Sequence, residues 1–86
     1  MFPYIYLVDQ IRVAIFDDNS TRRDGLKLLL DSTEGYMCCG CFADANNLLE
    51  DTLRGEPDVV LMDIDMPGLS GIEAVRILKR EFPDLP

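Results

Sequence analysis

Two clusters of carboxylates carry the chemistry this chain could perform. Asp17 and Asp18 follow one apolar run in "IRVAIFDDN", and Asp63 and Asp65 follow another in "VVLMDIDMPG". Carboxylates serve as nucleophiles, as general acids or bases, or as ligands for hard cations. Any one of these residues alone could simply cap a helix or open a turn. Two clusters placed alike, each directly after a strand-like apolar run, are hard to explain by capping. In open parallel α/β sheets, ligands bind at the C-terminal ends of the strands. If the two strands are neighbours, Asp17, Asp18 and Asp63 converge at one edge and repel one another. A hard divalent cation relieves that repulsion, and oxygen ligands with retained waters favour Mg²⁺. Asp63 could then attack phosphorus as a carboxylate nucleophile and become an aspartyl-phosphate.

The elements that must position these acids are readable from periodicity. "IRVAIF" (Ile11–Phe16), "YMCCGCF" (Tyr36–Phe42) and "DVVLM" (Asp58–Met62) read as strands. "TRRDGLKLLLDS" reads as a helix with Leu26, Leu29 and Leu30 on one face, stopped by Thr33-Glu34-Gly35. Asp44 is placed to cap a second helix striped by Leu48, Leu49 and Leu53, with Gly55 as its C′ residue and Pro57 beyond. Ser70-Gly71-Ile72-Glu73 matches a capping box, with Ile72, Val75, Leu78 and Phe82 behind it. The order β-α-β-α-β-α predicts an α/β fold with a parallel sheet and right-handed crossovers.

Composition narrows the function. Eighty-six residues allow one small domain, and 48% hydrophobic content marks it as globular. Sixteen acidic against 8 basic residues give a net charge of −8, which disfavours direct nucleic-acid binding by this segment. The absence of His removes Ser-His-Asp and Cys-His catalysis and most catalytic zinc sites. Cys38, Cys39 and Cys41 form no spaced disulfide framework and suit a reducing compartment. Strict alternation along a strand puts Cys39 and Cys41 on one face and Cys38 on the other, as small core thiols. No apolar run reaches membrane-spanning length, and "MFPYIYLVDQ" lacks the basic start and cleavage site of a signal peptide. The expectation is a cytoplasmic protein without membrane contact.

"FDDN" after a first strand and "DIDMPGLSG" after a third resemble the receiver domain of bacterial two-component response regulators. The resemblance spans Ile11 to Pro86, leaving residues 1–10 as an N-terminal extension and 11–86 as a partial receiver domain. "GLSGIEAVRILKREFPDLP" is most similar to receivers that precede a LuxR-type helix-turn-helix domain. The resemblance implies a flavodoxin-like (CheY-like) sheet, of strand order 2-1-3-4-5 when complete. Here it is cut to (βα)3 with order 2-1-3. It implies that Asp63 is the phosphoacceptor for a histidine kinase. It implies that Asp17 and Asp18 hold Mg²⁺, with Asp18 the more direct ligand, that Asp63 joins them, and that Asp65 contributes its backbone carbonyl. Met66-Pro67 and Gly71 shape the surrounding loop. The domain itself promotes phosphoryl transfer and later hydrolysis, so it is a signalling module rather than an enzyme.

The family's fourth and fifth strands end in a Ser or Thr and a Lys that contact the phosphoryl group, and these 86 residues include neither unit. The expectation is therefore a fragment with an acid pocket but impaired phosphotransfer. The third strand would be left as an unpaired apolar edge, with part of one sheet face bare, which predicts a homo-oligomer formed through that edge. Tyr4–Val8 is strand-like and could lengthen the first strand, join a partner's sheet or form a disordered tail. The Arg22-Arg23 and Lys79-Arg80 pairs read as solvated faces, with Arg22 and Arg23 as kinase-contact candidates. Two other readings compete. Asp63-Ile64-Asp65 also resembles the Asp-x-Asp start of haloacid-dehalogenase-type phosphatases, although Pro67 and the motif's place after a third strand depart from that pattern. The other is an inactive module that uses the scaffold only to oligomerise.

Overall fold

Strand and helix alternate as the hydrophobic pattern predicts in the computed structural model, which describes residues 10–86. The elements are β1 (Ile11–Phe16), α1 (Ser20–Asp31), β2 (Tyr36–Phe42), α2 (Leu48–Gly55), β3 (Val59–Met62) and α3 (Gly71–Glu81). The three strands are parallel in the order β2-β1-β3. This is the α/β, flavodoxin-like arrangement with order 2-1-3. β1 is central because both of its edges are paired, and it is accordingly the most buried strand. The strand-like Tyr4–Val8 segment lies outside the described residues. Among the described residues, no helix is long and apolar enough to cross a membrane.

The pleat of β1 sends alternate side chains to two layers. Ala14 and Phe16 join Ala45, Leu48, Met66, Ala74 and Leu78 in the core beneath α2 and α3. Val13 and Ile15 are buried as well, on the opposite face, where α1 lies along β1 and β2. Phe16 is fully buried and tilts against Phe42 at a ring-centroid distance of 4.9 Å. Burial of a side chain that size contributes on the order of 2–3 kcal/mol.

The described structure departs from periodicity in several places. β2 carries an irregularity opposite Val13 and Ala14, whose partners are Cys38 and Gly40, so that Cys39 is the extra residue. The bulge resets the alternation. Cys38 and Cys41 therefore share a face, with their Sγ atoms 3.1 Å apart, whereas strict alternation assigned Cys41 to the face of Cys39. Gly40 leaves room for the Phe42 ring next to the bulge: a Cβ there would lie 2.7 Å from the ring and force it to shift. All three thiols are half-buried and free. Burial pushes the Cys39 thiol up and the Cys41 thiol up to about 12, which suits packing rather than reactivity.

The leucine stripes are only partly inside. No α1 residue is fully buried, and Leu28, Leu29 and Leu53 are exposed. In α3, Ala74 and Leu78 face the core while Ile72 and Val75 are exposed. Each helix covers the sheet on one side only, so a narrower stripe than the sequence offers is enough. α2 starts three residues later than an Asp44 cap would place it. Asp44 instead accepts the Asn46 N–H at 2.9 Å in a local turn, and Asn47 precedes the helix. At the far end, Gly55 is the last helical residue and Glu56 takes the left-handed conformation at φ 47°. Arg12 helps satisfy that end by donating to the Gly55 and Glu56 carbonyls.

Two contacts that set the frame are directly testable. A Cβ on Gly71 would lie 2.7 Å from the Asp63 carbonyl carbon and closer still to its oxygen and to Ile64 Cα. Gly71→Ala is therefore expected to destabilise by about 2 kcal/mol or more, read as a lower urea midpoint. An unchanged midpoint would mean that α3 and the β3 loop can part freely. At the end of α1, Asp31 accepts the Cys38 N–H at 2.9 Å and the Lys27 ammonium at 2.7 Å, which hold its carboxyl below the usual range. A depressed carboxyl stabilises fully above its unfolded value near about pH 4, and that stability is lost as pH falls through the folded value. Melts taken from neutral to about pH 2 should show a smaller acid-induced loss in Asp31→Asn than in the unaltered chain. Equal losses would remove Asp31 from the acid response.

Candidate functional site

The sheet ladder continues one residue past each strand and thereby places the acids. Asp17 N–H donates to Phe42 C=O at 2.9 Å, and Asp63 N–H donates to Phe16 C=O at 2.9 Å. Both carboxylates thus stand at the C-terminal mouth of neighbouring parallel strands. Asp17, Asp18 and Asp63 each offer an oxygen within 4.8 Å of the others. Asp17 is buried, Asp63 half-buried and Asp18 exposed. Three hard oxygen donors from separate backbone positions match the ligand chemistry of Mg²⁺, and the exposed side leaves room for waters.

Asp17 is the most constrained of the three. Its Oδ1 accepts the Asn19 N–H at 2.9 Å and Arg22 Nη2 at 2.8 Å, while its Oδ2 accepts Arg22 Nε. The Arg22 guanidinium and the Asn19 N–H together outweigh desolvation and hold the Asp17 carboxyl below the usual range. Asp18 moves the other way. Loss of some hydration raises it, and the Asp63 and Asp17 carboxylates add to that effect. Arg22 is held firmly protonated by Asp17.

Asp63 is framed by the loop that follows β3. Its Oδ1 accepts the Asp65 N–H at 3.2 Å, and its Oδ2 accepts Arg22 Nη2 at 3.1 Å. The Asp65 side chain is exposed. Met66 is buried in the core and pins the loop, and Gly68 turns it at φ 79°. Gly71 N–H donates to Ile64 C=O at 3.2 Å, and Ser70 caps α3 by accepting the Glu73 N–H at 3.2 Å.

Sequence reasoning missed Arg22. It read as a solvated residue, yet its guanidinium bridges Asp17 and Asp63. Arg23 also turns inward, donating from Nη1 to the Asp17 carbonyl at 2.8 Å. A signal was present. Asn19 caps α1 by accepting the Arg22 N–H at 2.9 Å, which puts Arg22 at the third helical position. Helical side chains lean toward the N-terminus, which here is the direction of the acids.

Residues 13–86 match the response regulator receiver domain family. The chain is 39% identical over 75 residues to Response regulator GacA of Pseudomonas viridiflava, covering 87% of this chain and 35% of that protein. It is 35% identical over 77 residues to Transcriptional regulatory protein DegU of Brevibacillus brevis, covering 90% of this chain and 33% of that protein. It thus spans about a third of the length of these curated relatives. Its fold superimposes on the response regulator domain of Thermotoga maritima CheB with a TM-score of 0.80 at 36% identity, covering 86% of this chain and 55% of that one. With the acids at the sheet mouth and the match running through β1, β2 and β3, the chain belongs to the response regulator receiver domain family.

Proposed function

We propose that this segment is the phosphoacceptor of a two-component pathway, with Asp63 receiving a phosphoryl group from a histidine kinase. The observation that carries the proposal is the convergence of Asp17, Asp18 and Asp63 within 4.8 Å at the mouth of two paired parallel strands. An Asp63 oxygen attacks phosphorus, the phosphorus–nitrogen bond to the donor imidazole breaks, and the imidazole leaves with that electron pair. Asp17 and Asp18 would hold a divalent cation together with Asp63, and the Asp65 backbone carbonyl would be a further ligand. A bound cation there neutralises charge on the carboxylates and on the incoming phosphoryl oxygens. The Asp65 N–H supports Asp63 from the loop side.

The segment accepts and loses the group rather than turning over substrate. A haloacid-dehalogenase-type mechanism would need the Asp65 side chain as general acid, whereas that side chain is exposed and its backbone N–H is the group that bonds Asp63. Among the described residues, the basic group hydrogen-bonded to Asp63 is Arg22, and no hydroxyl is hydrogen-bonded to it, so transfer to these 86 residues alone should be slow. Residues 1–10 form an extension outside the acceptor unit. The net charge of −8 makes the segment itself a poor ligand for nucleic acid. The name of the DegU relative supports transcription regulation as the output of the whole protein. The composition supports a cytoplasmic setting.

β3 lies at the sheet edge among the described residues, with Leu61 exposed at 40%, although the edge is not wholly unpaired as expected, because the Val60 N–H donates to the Pro86 carbonyl at 3.2 Å. Pairing of a second copy along this edge would cover it. Sedimentation should therefore show a dimer or higher oligomer, and a well-folded monomer at high concentration would remove this part of the proposal. The central test is acetyl phosphate with Mg²⁺, followed by mass mapping of the adduct. A phosphoryl group on Asp63 that disappears in Asp63→Asn is the expected result. An adduct elsewhere, or one that survives Asp63→Asn, would refute the assignment. Rapid hydrolysis of an aryl phosphate dependent on the Asp65 side chain would favour the phosphatase instead.

A further inference from the structure

Arg22 engages the same oxygens that a cation held by the three acids would need. Its Nη2 is shared between Asp17 Oδ1 at 2.8 Å and Asp63 Oδ2 at 3.1 Å, and its Nε takes Asp17 Oδ2. Both oxygens of Asp17 and one of Asp63 are thereby occupied by a single planar fork. Three further observations bear on how firmly the fork is held. Arg22 sits in the first turn of α1, where the helix dipole opposes a positive charge, so the acids alone retain it there. Its side chain is 53% exposed, so it can leave by rotating into solvent without disturbing the core. The cap of α1 uses the Arg22 backbone N–H and not the side chain, so the helix start survives that rotation.

We infer that Arg22 is a resident counter-ion of the acid pocket, bridging Asp17 and Asp63 until a divalent cation displaces it. This deepens the proposed phosphoacceptor reading and rests on it. Guanidinium and divalent cation compete for common ligands and repel each other at contact range, so residue 22 sets the cation concentration at which Asp63 becomes available. Arg22 acts on Asp63 through this competition and is a positioning residue.

Mn²⁺ binding by calorimetry at neutral pH and about 0.15 M ionic strength tests the inference on the 86-residue chain. Arg22→Ala and Arg22→Gln should each bind Mn²⁺ more tightly by on the order of tenfold, the scale set by one positive charge a few ångströms from a divalent ion. Arg54→Ala removes an equal charge, from a residue paired with Glu50 on α2, and should stay within about twofold of the unaltered chain. Arg22 variants that bind like the unaltered chain, or more weakly, would overturn the inference. A second readout needs no variant. The Arg22 Nε–H resonance should be distinct in the metal-free chain and should move to a solvent-exposed position when Mg²⁺ is added. A resonance unchanged through saturation would overturn the displacement. Asp18→Asn separates this inference from the reading beneath it. If that variant binds Mn²⁺ as well as the unaltered chain, the acid pocket itself fails, whatever Arg22 does.

Discussion

The confinement of three carboxylates is the constraint around which the rest is arranged. At 4.8 Å, a pair of like charges costs about 1 kcal/mol in bulk water and about 3.5 kcal/mol at an effective dielectric near 20. A fold that is only marginally stable cannot hold three such charges without a counter-charge or a shifted proton. Both appear at the site. The Asp17 carboxyl is stabilised in its charged form by Arg22, and the Asp18 carboxyl shifts toward protonation. The acids are nevertheless kept together because two of them are fixed by backbone rather than by preference of the side chain, and Asp18 follows Asp17 in the chain. Asp17 and Asp63 are anchored by ladder hydrogen bonds to Phe42 and Phe16, and the ladder is in turn locked by the core around Phe16.

The core therefore serves the site through β1. Its inward residues alternate between two covered faces, so a slip of register would turn both layers inside out. The loop after β3 is fixed with similar economy. Met66 is sunk into the core on one side of the turn, and Gly71 permits backbone contact with Asp63 on the other. Between them Asp65 is left free to present its N–H to Asp63 while its side chain points to solvent.

Much of this was legible in the residues. β1 and β2 have the bounds that their apolar runs imply, because a run of that kind has no other place to go in so small a chain. β3 begins one residue later than its run suggested: Asp58 donates its N–H to the Arg12 carbonyl at 2.8 Å but takes the Arg12 N–H on its side-chain carboxylate, so regular strand starts at Val59. The acids converge as their placement at strand ends indicated. What the sequence concealed depends on contacts between distant residues. The bulge at Cys39 arises where Gly40 yields its space to the Phe42 ring, and nothing in the local alternation announces it. The exposure of Leu28, Leu29 and Leu53 reflects how few layers surround each helix, which periodicity cannot count. Arg22 looked like surface because a charged residue in a first turn usually is. Its position became meaningful only with Asp63, forty-one residues away, at the same mouth.

The central claim is that the acids closing β1 and β3 act as one ligand set. Titration of Mn²⁺ into isotope-labelled protein tests it most directly, because paramagnetic broadening falls steeply with distance from the ion. The account predicts that the amide signals of Asp17, Asp18, Asp63 and Asp65 broaden together at substoichiometric metal while those at the end of α2, where Gly55 meets Arg12 at the start of β1, remain sharp. Broadening confined to one strand end, or spread evenly over the acidic surface, would contradict it.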